Sequence, residues 1–402
     1  MRTPNIYITT EVRLQSDLDG NTDTPHTAAL YARWTPFAEA FGSVTVVGRR
    51  RLASEPTAGR VDGPGVEVLG LPYYHGLKNM IRTLPRVIHA VSKVGTRGDI
   101  FIGRLPEPLS LLLFVRSLRV RGRFISLVVA DPQQLGQSFL PGRAGSVVGS
   151  VLAQITRSCV RRSTGVIYVT QSWLQGLYPA AEGVPVLARS NVALTADSFV
   201  AGPRTLGADT QRIRLVTVST LGSPAKGVDV LLECVSRLKK EGLDVQLDVV
   251  GGGSELTKLQ ALSRHLGIDE DVDFHGHVSD RRQVVALLDA AHVYVSASRV
   301  EGLPRALVEA QARGLPVVST DAGGTRELVE QDLIVAIDDV AALSRKTKSL
   351  ASDPGYYEAT SVKSLASAHA IQESARESRL VTFLQANFVP TGPGPTGSGR
   401  PH

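Results

Sequence analysis

VYVSASRVEGLPRALVEAQARGLPVVSTDAGGTREL, residues 293–328, decides the fold. Its β-branched run at 293–295 ends in small polar residues. The turn Glu301-Gly302-Leu303-Pro304 opens a helical pattern over 305–313, with Pro304 expected at the first helical position and Gly314 closing the helix. A second buried strand, 315–319, runs into Asp321-Ala322-Gly323-Gly324-Thr325. Strand, loop, helix, strand and glycine turn form the repeating unit of a parallel α/β sheet, where ligands sit beyond the carboxyl ends of the strands. The helix start offers unpaired N–H groups and a positive dipole end, a seat for phosphate, and Gly302 lets the backbone approach a ligand closely. Glu301 precedes this helix. Glu309, between apolar Val308 and Ala310, is expected half-buried inside it. Two carboxylates beside a phosphate seat make sense if they accept hydrogen bonds from hydroxyls, with sugar and ribose hydroxyls as the expected partners.

A bare glutamate pair at this spacing is more often part of a solvated helix, so the context carries the reading. Seven residues separate Glu301 from Glu309, in EGLPRALVEA followed by GLPVV and GG. This stretch resembles the signature of family 4 glycosyltransferases of GT-B fold. The resemblance implies that Glu301 contacts the donor sugar and Glu309 holds the ribose. It also implies that the backbone through Gly302, Leu303, Pro304 and Arg305 meets the sugar and diphosphate.

Other segments extend the resemblance. Lys226-Gly227 stands at the start of a helical pattern over 228–239, where an ammonium beside the dipole's positive end is unfavourable unless an anion lies between. In the family this lysine contacts the donor diphosphate, often with an arginine at the end of the preceding strand. Here Ser219 and Thr220 hold that place, so one cation is missing, and Arg104 or Arg305 is the expected compensation. Gly251-Gly252-Gly253 resembles the family's glycine turn near the nucleotide. Phe274-His275-Gly276-His277-Val278 resembles the strand and turn whose backbone, at His277 and Val278, reads the base. Gly323 and Gly324 are expected to offer N–H groups to the distal phosphate. One departure stands out: many family members place a histidine beside the reacting sugar at about residues 127–132, and none occurs here. Asp131 is the nearest polar replacement; the alternative is a helix cap or turn residue.

The rest of the chain is consistent with two α/β domains. Its 402 residues suffice for two domains, and 43% hydrophobic with 20% charged residues is ordinary globular usage. In the first half, strand patterns at 5–10, 43–47, 65–69, 99–102, 124–129 and 165–169 alternate with helical patterns at 27–41, 77–91, 106–118 and 145–162. Segment 17–51 resembles polysaccharide-linked members of the family with a long first loop. The fold expected is GT-B: a Rossmann-like acceptor domain over 1–200 and a nucleotide-sugar domain over 211–372. A C-terminal helix over 373–389 should cross back to the first domain, and the Pro/Gly tail 390–402 should be disordered. Arg104, after a buried strand, is an acceptor-side candidate, with a surface salt bridge the equal alternative.

Several function classes recede. Cys159 and Cys234 form no metal or redox spacing, which points to a reducing compartment. Asp17, Asp19 and Asp23 lack the glutamate of a calcium loop, and His275 and His277 have no third ligand near in sequence, so no metal is expected. No cofactor is expected beyond the donor itself, taken as a UDP-sugar. Residues 1–205 carry 23 Lys and Arg against 13 Asp and Glu, and the remainder 21 against 25. A basic first half suits a lipid pyrophosphate, an anionic glycan or an anionic membrane. Nucleic acid is disfavoured, with aromatics at 5% and no binding motif. The N-terminus has no signal-peptide layout, so the expected location is the cytoplasm, extending to the inner face of the membrane.

The function expected is transfer of a sugar from a nucleoside diphosphate sugar to a hydroxyl of a glycan or lipid-linked acceptor, with retention of configuration. The runner-up is a catalytically weak GT-B partner of a membrane glycan synthase. A nucleotide-sugar epimerase and a polyanion-binding module are weaker alternatives.

Overall fold

The computed structural model describes residues 4–16, 22–24, 30–52, 59–74, 76–139, 142–207 and 210–389. The first domain strings together β1 (Ile6–Ser16), β2 (Thr22–Thr24), α1 (Thr35–Phe41), β3 (Val44–Leu52), β4 (Gly59–Arg60), β5 (Val66–Leu71), α2 (Gly76–Val91), β6 (Ile100–Leu105), α3 (Pro108–Val120), β7 (Arg123–Val128), α4 (Pro132–Phe139), α5 (Gly142–Arg161), β8 (Gly165–Tyr168), α6 (Trp173–Leu177) and β9 (Val186–Ala188). Strands β5, β3, β1, β6, β7, β8 and β9 lie side by side and parallel, and β2 and β4 extend the far end of β1 antiparallel. Side chains alternate between two cores, as the period of a strand requires. Ile6, Ile8, Ile100, Ile102, Ile125 and Ile167 face Trp34 and Phe37. Phe101, Leu105, Phe124, Val128 and Tyr168 face the side of α2, α3 and α5.

The second domain follows with β10 (Ile213–Val218), α7 (Val228–Lys240), β11 (Val245–Val250), α8 (Leu256–Leu266), β12 (Val272–Gly276), α9 (Arg281–Ala290), β13 (Val293–Ser296), α10 (Arg305–Ala312), β14 (Val317–Thr320), β15 (Ile334–Val335), α11 (Val340–Ser352), α12 (Pro354–Ala375) and α13 (Glu377–Phe388). Its six strands run parallel in the order β12-β11-β10-β13-β14-β15. Both faces are covered, which is why β13 and β14 are buried at every position.

Three details differ from the sequence pattern. β1 does not stop at Thr10; it continues to Ser16 through a register shift between Thr10 and Leu14, which puts Glu11 inside the strand. The helical pattern over 27–41 yields a 3₁₀ turn at Tyr31–Arg33 and then α1, because Pro36 suits only a helix start. The C-terminal helix expected over 373–389 starts only at Glu377, because the chain breaks at Arg376 (φ −52°, ψ 131°) between α12 and α13. The connection between the domains after Phe199 is docked, with Arg204 donating to the carbonyls of Arg313, Asp289, Ala291 and Leu288.

α13 returns to the first domain, where Leu380, Val381, Leu384 and Phe388 join the core around Ile6 and Trp34. Among the described residues no helix is long and apolar enough to cross a membrane. Asp17, Asp19 and the tail 390–402 lie outside the described residues, and Asp23 sits in β2.

Candidate functional site

The loop after β13 brings the predicted acidic residue to the predicted lysine. Glu301 Oε1 accepts from Lys226 Nζ at 2.7 Å and from Ser298 Oγ at 2.7 Å. Local chemistry fixes both partners. Ser223 caps the 3₁₀ turn Pro224–Lys226, and Gly227 follows in the left-handed region at φ 62°. A Cβ on Gly227 would stand 1.8 Å from the Ala297 carbonyl oxygen, so only glycine lets this turn lie against the loop. Arg299 locks the two together. Its N–H donates to the Ala225 oxygen (2.8 Å), and its guanidinium donates to the Pro224 oxygen (2.6 Å), to both Asp229 oxygens and to Asp338. The anion that Lys226 needs is therefore supplied from within the chain by Glu301, which is 11% exposed.

The helix after this loop starts one residue later than the sequence pattern places it. Pro304 is the N-cap of α10, at φ −72° and ψ 102°, and Arg305 is the first helical residue. An extended ψ at Pro304 removes it from the helix proper. One turn on, Glu309 accepts from Arg305 Nε at 2.9 Å, so this carboxylate is partly screened by its own helix.

The glycine turn after β14 braces the same loop. Gly323 has φ 58°, and a Cβ there would meet the Glu301 carbonyl oxygen at 2.0 Å. The Gly324 N–H donates to the Gly302 oxygen at 2.8 Å. This corrects the expectation that Gly324 presents its N–H outward to phosphate: the closeness of the two loops engages it.

The nucleotide-side candidates also converge. The Leu221 N–H donates to the Gly252 oxygen and the Gly251 N–H to the Gly276 oxygen, each at 2.9 Å. A Cβ on Gly252 would lie 3.2 Å from the His277 nitrogen, and Val278 packs on the second core. His275 does not belong with them; Asp248 holds it at 2.7 Å and is itself paired with Arg214. A cavity of about 230 Å³ beside Lys226 is lined by Leu221, Ser223, Pro224, Asp229 and Glu255 among others. A larger cavity of about 820 Å³ lies behind the glycine turn, against Arg326, Glu327 and α12, and contains none of the predicted site residues.

The first domain forms the opposite wall. A Cβ on Gly302 would be 2.8 Å from the Val129 oxygen, and Leu303 packs on the cores of both domains. Asp131 is placed near this wall, but it has local work. Its Oδ1 accepts from the Gln133 N–H at 3.0 Å at the start of α4 and from the Tyr178 hydroxyl. Burial, reinforced by Asp131, pushes the Tyr178 hydroxyl far up. The cap alternative is therefore the one the geometry displays.

Sequence reasoning missed three groups. Ser298 and Arg299 were invisible because a loop's internal bonds carry no periodic signal. Glu327 reaches across the domains: its carboxylate accepts from the N–H groups of Gln171 (2.6 Å), Ser172 (2.8 Å) and Trp173 (2.6 Å) and from the Ser172 hydroxyl. It thereby caps α6 from the other domain.

Arg104 belongs to a separate cluster. Its Nε lies 3.5 Å from Glu107 Oε1. Neighbouring Glu11 accepts from Arg49 at 2.8 Å and from the Leu109 N–H at 3.0 Å. Burial, opposed chiefly by Arg104, pushes the Glu107 carboxyl up to about 7. Below its unfolded value near 4.5, Glu107 is protonated in both states and costs nothing. As pH rises from there to about 7, the unfolded chain ionises first and native stability falls; above 7 the penalty is complete. Glu107→Gln removes it. In urea unfolding the variant is expected to gain about 2–3 kcal/mol on the wild type between pH 5 and pH 8. Parallel stability curves across that range would refute the assignment.

Residues 203–370 match the family model described as glycosyl transferases group 1. Over 318 residues the chain is 22% identical to protein CapJ of Staphylococcus aureus, covering 78% of each. It is 25% identical over 342 residues to the GDP-mannose-dependent alpha-(1-6)-phosphatidylinositol monomannoside mannosyltransferase of Mycobacterium tuberculosis, covering 81% of this chain and 80% of that one. HepE of Anabaena, solved in complex with UDP and glucose, superposes with a TM-score of 0.65 at 16% identity, covering 95% of this chain and 99% of that one.

Proposed function

We propose that this chain, which belongs to the group 1 glycosyl transferases and has the GT-B fold, moves a sugar from a nucleoside diphosphate sugar to a hydroxyl of a glycan or lipid-linked acceptor. The setting is bacterial polysaccharide or glycoconjugate synthesis. One observation carries the reading: Lys226 Nζ and the Glu301 carboxylate meet at 2.7 Å on the loop that abuts the first-domain wall at Val129. An anion-seeking ammonium and a hydroxyl-seeking carboxylate stand together where two domains face each other.

The donor's anomeric C–O bond to the diphosphate breaks, and Lys226 stabilises the charge that gathers on the departing oxygen. Glu301 exchanges part of its bond with Lys226 for the sugar hydroxyls and orients the ring. Glu309, released from Arg305, takes the ribose. The backbone of Gly302, Leu303, Pro304 and Arg305 lies along the sugar and diphosphate. Gly252, His277 and Val278 line the base, and Gly323 and Gly324 hold the loop in shape. The acceptor oxygen bonds to the anomeric carbon from the face the diphosphate leaves, and its proton passes to a diphosphate oxygen. Configuration is thus retained. No metal or further cofactor is needed.

Residues 1–200 then serve the acceptor and 211–372 the donor, with 373–389 joining them. Asp131 acts through Tyr178 and α4 to position the wall rather than touching substrate. The site faces the cytoplasm, and the basic first half draws it to anionic membrane. On α2, exposed Ile81, Leu84 and Ile88 interleave with Arg82 and Arg86, which supports that contact.

Uridine is the base proposed, as in the HepE complex. A calorimetric titration of UDP and GDP, then of their sugars, into wild type and Glu309→Ala tests the reading. Saturable binding of UDP, weakened at least tenfold in the variant, is the expected result. Binding of GDP alone would change the base, and binding of neither would remove the transferase reading. The second reading, a donor-binding partner without turnover, is favoured only by the engagement of Asp131 where a histidine is absent. It predicts binding with no transfer to any acceptor.

A further inference from the structure

Four arginines converge beyond the carboxyl ends of the first sheet. Arg49 comes from β3, Arg104 from β6, Arg189 directly follows β9, and Arg33 ends the 3₁₀ turn before α1. Arg104 and Arg189 crowd Arg33 and, after burial itself, depress its guanidinium to about 10. Two carboxylates answer them, Glu11 and Glu107; Glu377 and Arg379 near Arg189 act in opposite senses. Two positive charges are left unmatched, and a third when Glu107 is protonated.

Hydrogen bonding is also incomplete there. Arg49 Nε, Arg104 Nε, Arg189 Nε and Glu107 Oε2 are buried without a hydrogen-bond partner. The Arg104–Glu107 approach of 3.5 Å is too long to satisfy either group. The Arg33 guanidinium has only a contact at 6.0 Å over the Trp34 ring among the described residues. A buried donor left unpaired is costly, and more so when charged. Nine other arginines among the described residues, by contrast, are closed into ion pairs on the second domain.

The position matters as much as the charge. Arg104 pairs in register with Leu127 on β7, and Val129, directly after this strand, meets Gly302 of the donor loop. Arg104 thus stands one strand away from the junction where the sugar would be handed over, with the other arginines spread along the same end of the sheet.

We propose that this cluster is a binding site for a phosphoryl group carried by the acceptor. Three oxygens at tetrahedral angles and up to two negative charges fit several separate guanidinium donors better than the two coplanar oxygens of a carboxylate. That the phosphoryl group belongs to the acceptor rests on the transferase reading above; that the cluster binds phosphate does not. The group is either a phosphate ester on a soluble glycan or the headgroup of an anionic lipid.

Full-length protein is titrated with methyl phosphate at pH 6.5 and, separately, floated with vesicles of phosphatidylglycerol in phosphatidylcholine and of phosphatidylcholine alone. Wild type is compared with Arg33→Gln, Arg104→Gln and Lys226→Ala. The Arg33 side chain is partly buried but makes no hydrogen bond among the described residues, so its variant folds even where Arg104→Gln does not. Methyl phosphate binding that weakens at least tenfold in Arg33→Gln and Arg104→Gln, and stays unchanged in Lys226→Ala, supports the site and a soluble ester. Flotation with phosphatidylglycerol that the same two variants lose, without methyl phosphate binding, supports the site and a lipid headgroup. Binding that follows Lys226 instead, flotation that survives both arginine substitutions, or no binding of either probe overturns it. UDP titration of the arginine variants separates the two readings. Phosphate binding in a protein that takes no nucleotide leaves the cluster standing and removes the word acceptor.

Discussion

Lys226→Ala is expected to lower kcat/KM by about two to three orders of magnitude, the usual loss when one preorganised donor to a leaving-group charge is removed. Among the described residues the lysine is the sole cation paired with the Glu301 carboxylate, since Arg299 is spent on Asp229 and Asp338 and Arg305 on Glu309. Ser219 and Thr220 hold the place of a second cation, so nothing nearby can substitute. The variant should fold, because Lys226 lies on a short turn and is 28% exposed on its side chain. Glu301→Ala should lose a comparable factor, and the double variant little more than either, as befits two residues that act as one unit. Before an acceptor is known, slow donor hydrolysis followed by nucleotide release supplies the rate. A rate unchanged in Lys226→Ala would end the assignment of its role.

Gly323→Ala should damage both the fold and the site. The added carbon falls 2.0 Å from the Glu301 carbonyl oxygen, with backbone at φ 58° on one side and backbone on the other. No rotamer can relieve that contact. Either the turn moves and the Gly324–Gly302 bond is lost, or the loop carrying Glu301 moves with it. A loss of about 3 kcal/mol in denaturant unfolding is expected, with nucleotide binding abolished. Gly98→Ala is the control. Its φ is 87°, but nothing lies within 4 Å of the new carbon, so it should cost about 1 kcal/mol and leave binding intact. Equal stability for the two variants, with equal nucleotide affinity, would show that the loops tolerate displacement.

What the sequence disclosed follows from range. Residues 293–328 state their fold locally: β-branched runs for strands, apolar spacing for α10, glycines where the chain turns sharply. The meeting of Glu301 with Lys226 was anticipated as chemistry but not as a bond within the chain. Nothing in 226–301 announces that Arg299 will tie those two loops together. Glu327 illustrates the limit. Its neighbours identify a strand–glycine–helix turn, while its function as a cap depends on where another domain's α6 happens to stand. Asp131 shows the opposite error. A polar residue at a strand end invites a catalytic role, and the Tyr178 hydroxyl that claims it lies 47 positions away. The Arg33–Arg104 cluster was equally hidden, because β1, β3, β6 and β9 supply it from sequence positions far apart.

The return of α13 has a practical consequence for dissecting this enzyme. Phe388 packs so closely over β8 that a Cβ on Gly165 would touch its ring at 2.3 Å, and Leu384 is fully buried between α1 and the sheet. A fragment cut at the connection near residue 200 would expose that surface and aggregate. Chimaeras that exchange first domains between relatives must therefore carry the last helix together with the first two hundred residues, as a discontinuous cassette. The first domain and α13 fold as one piece, with the second domain inserted between them.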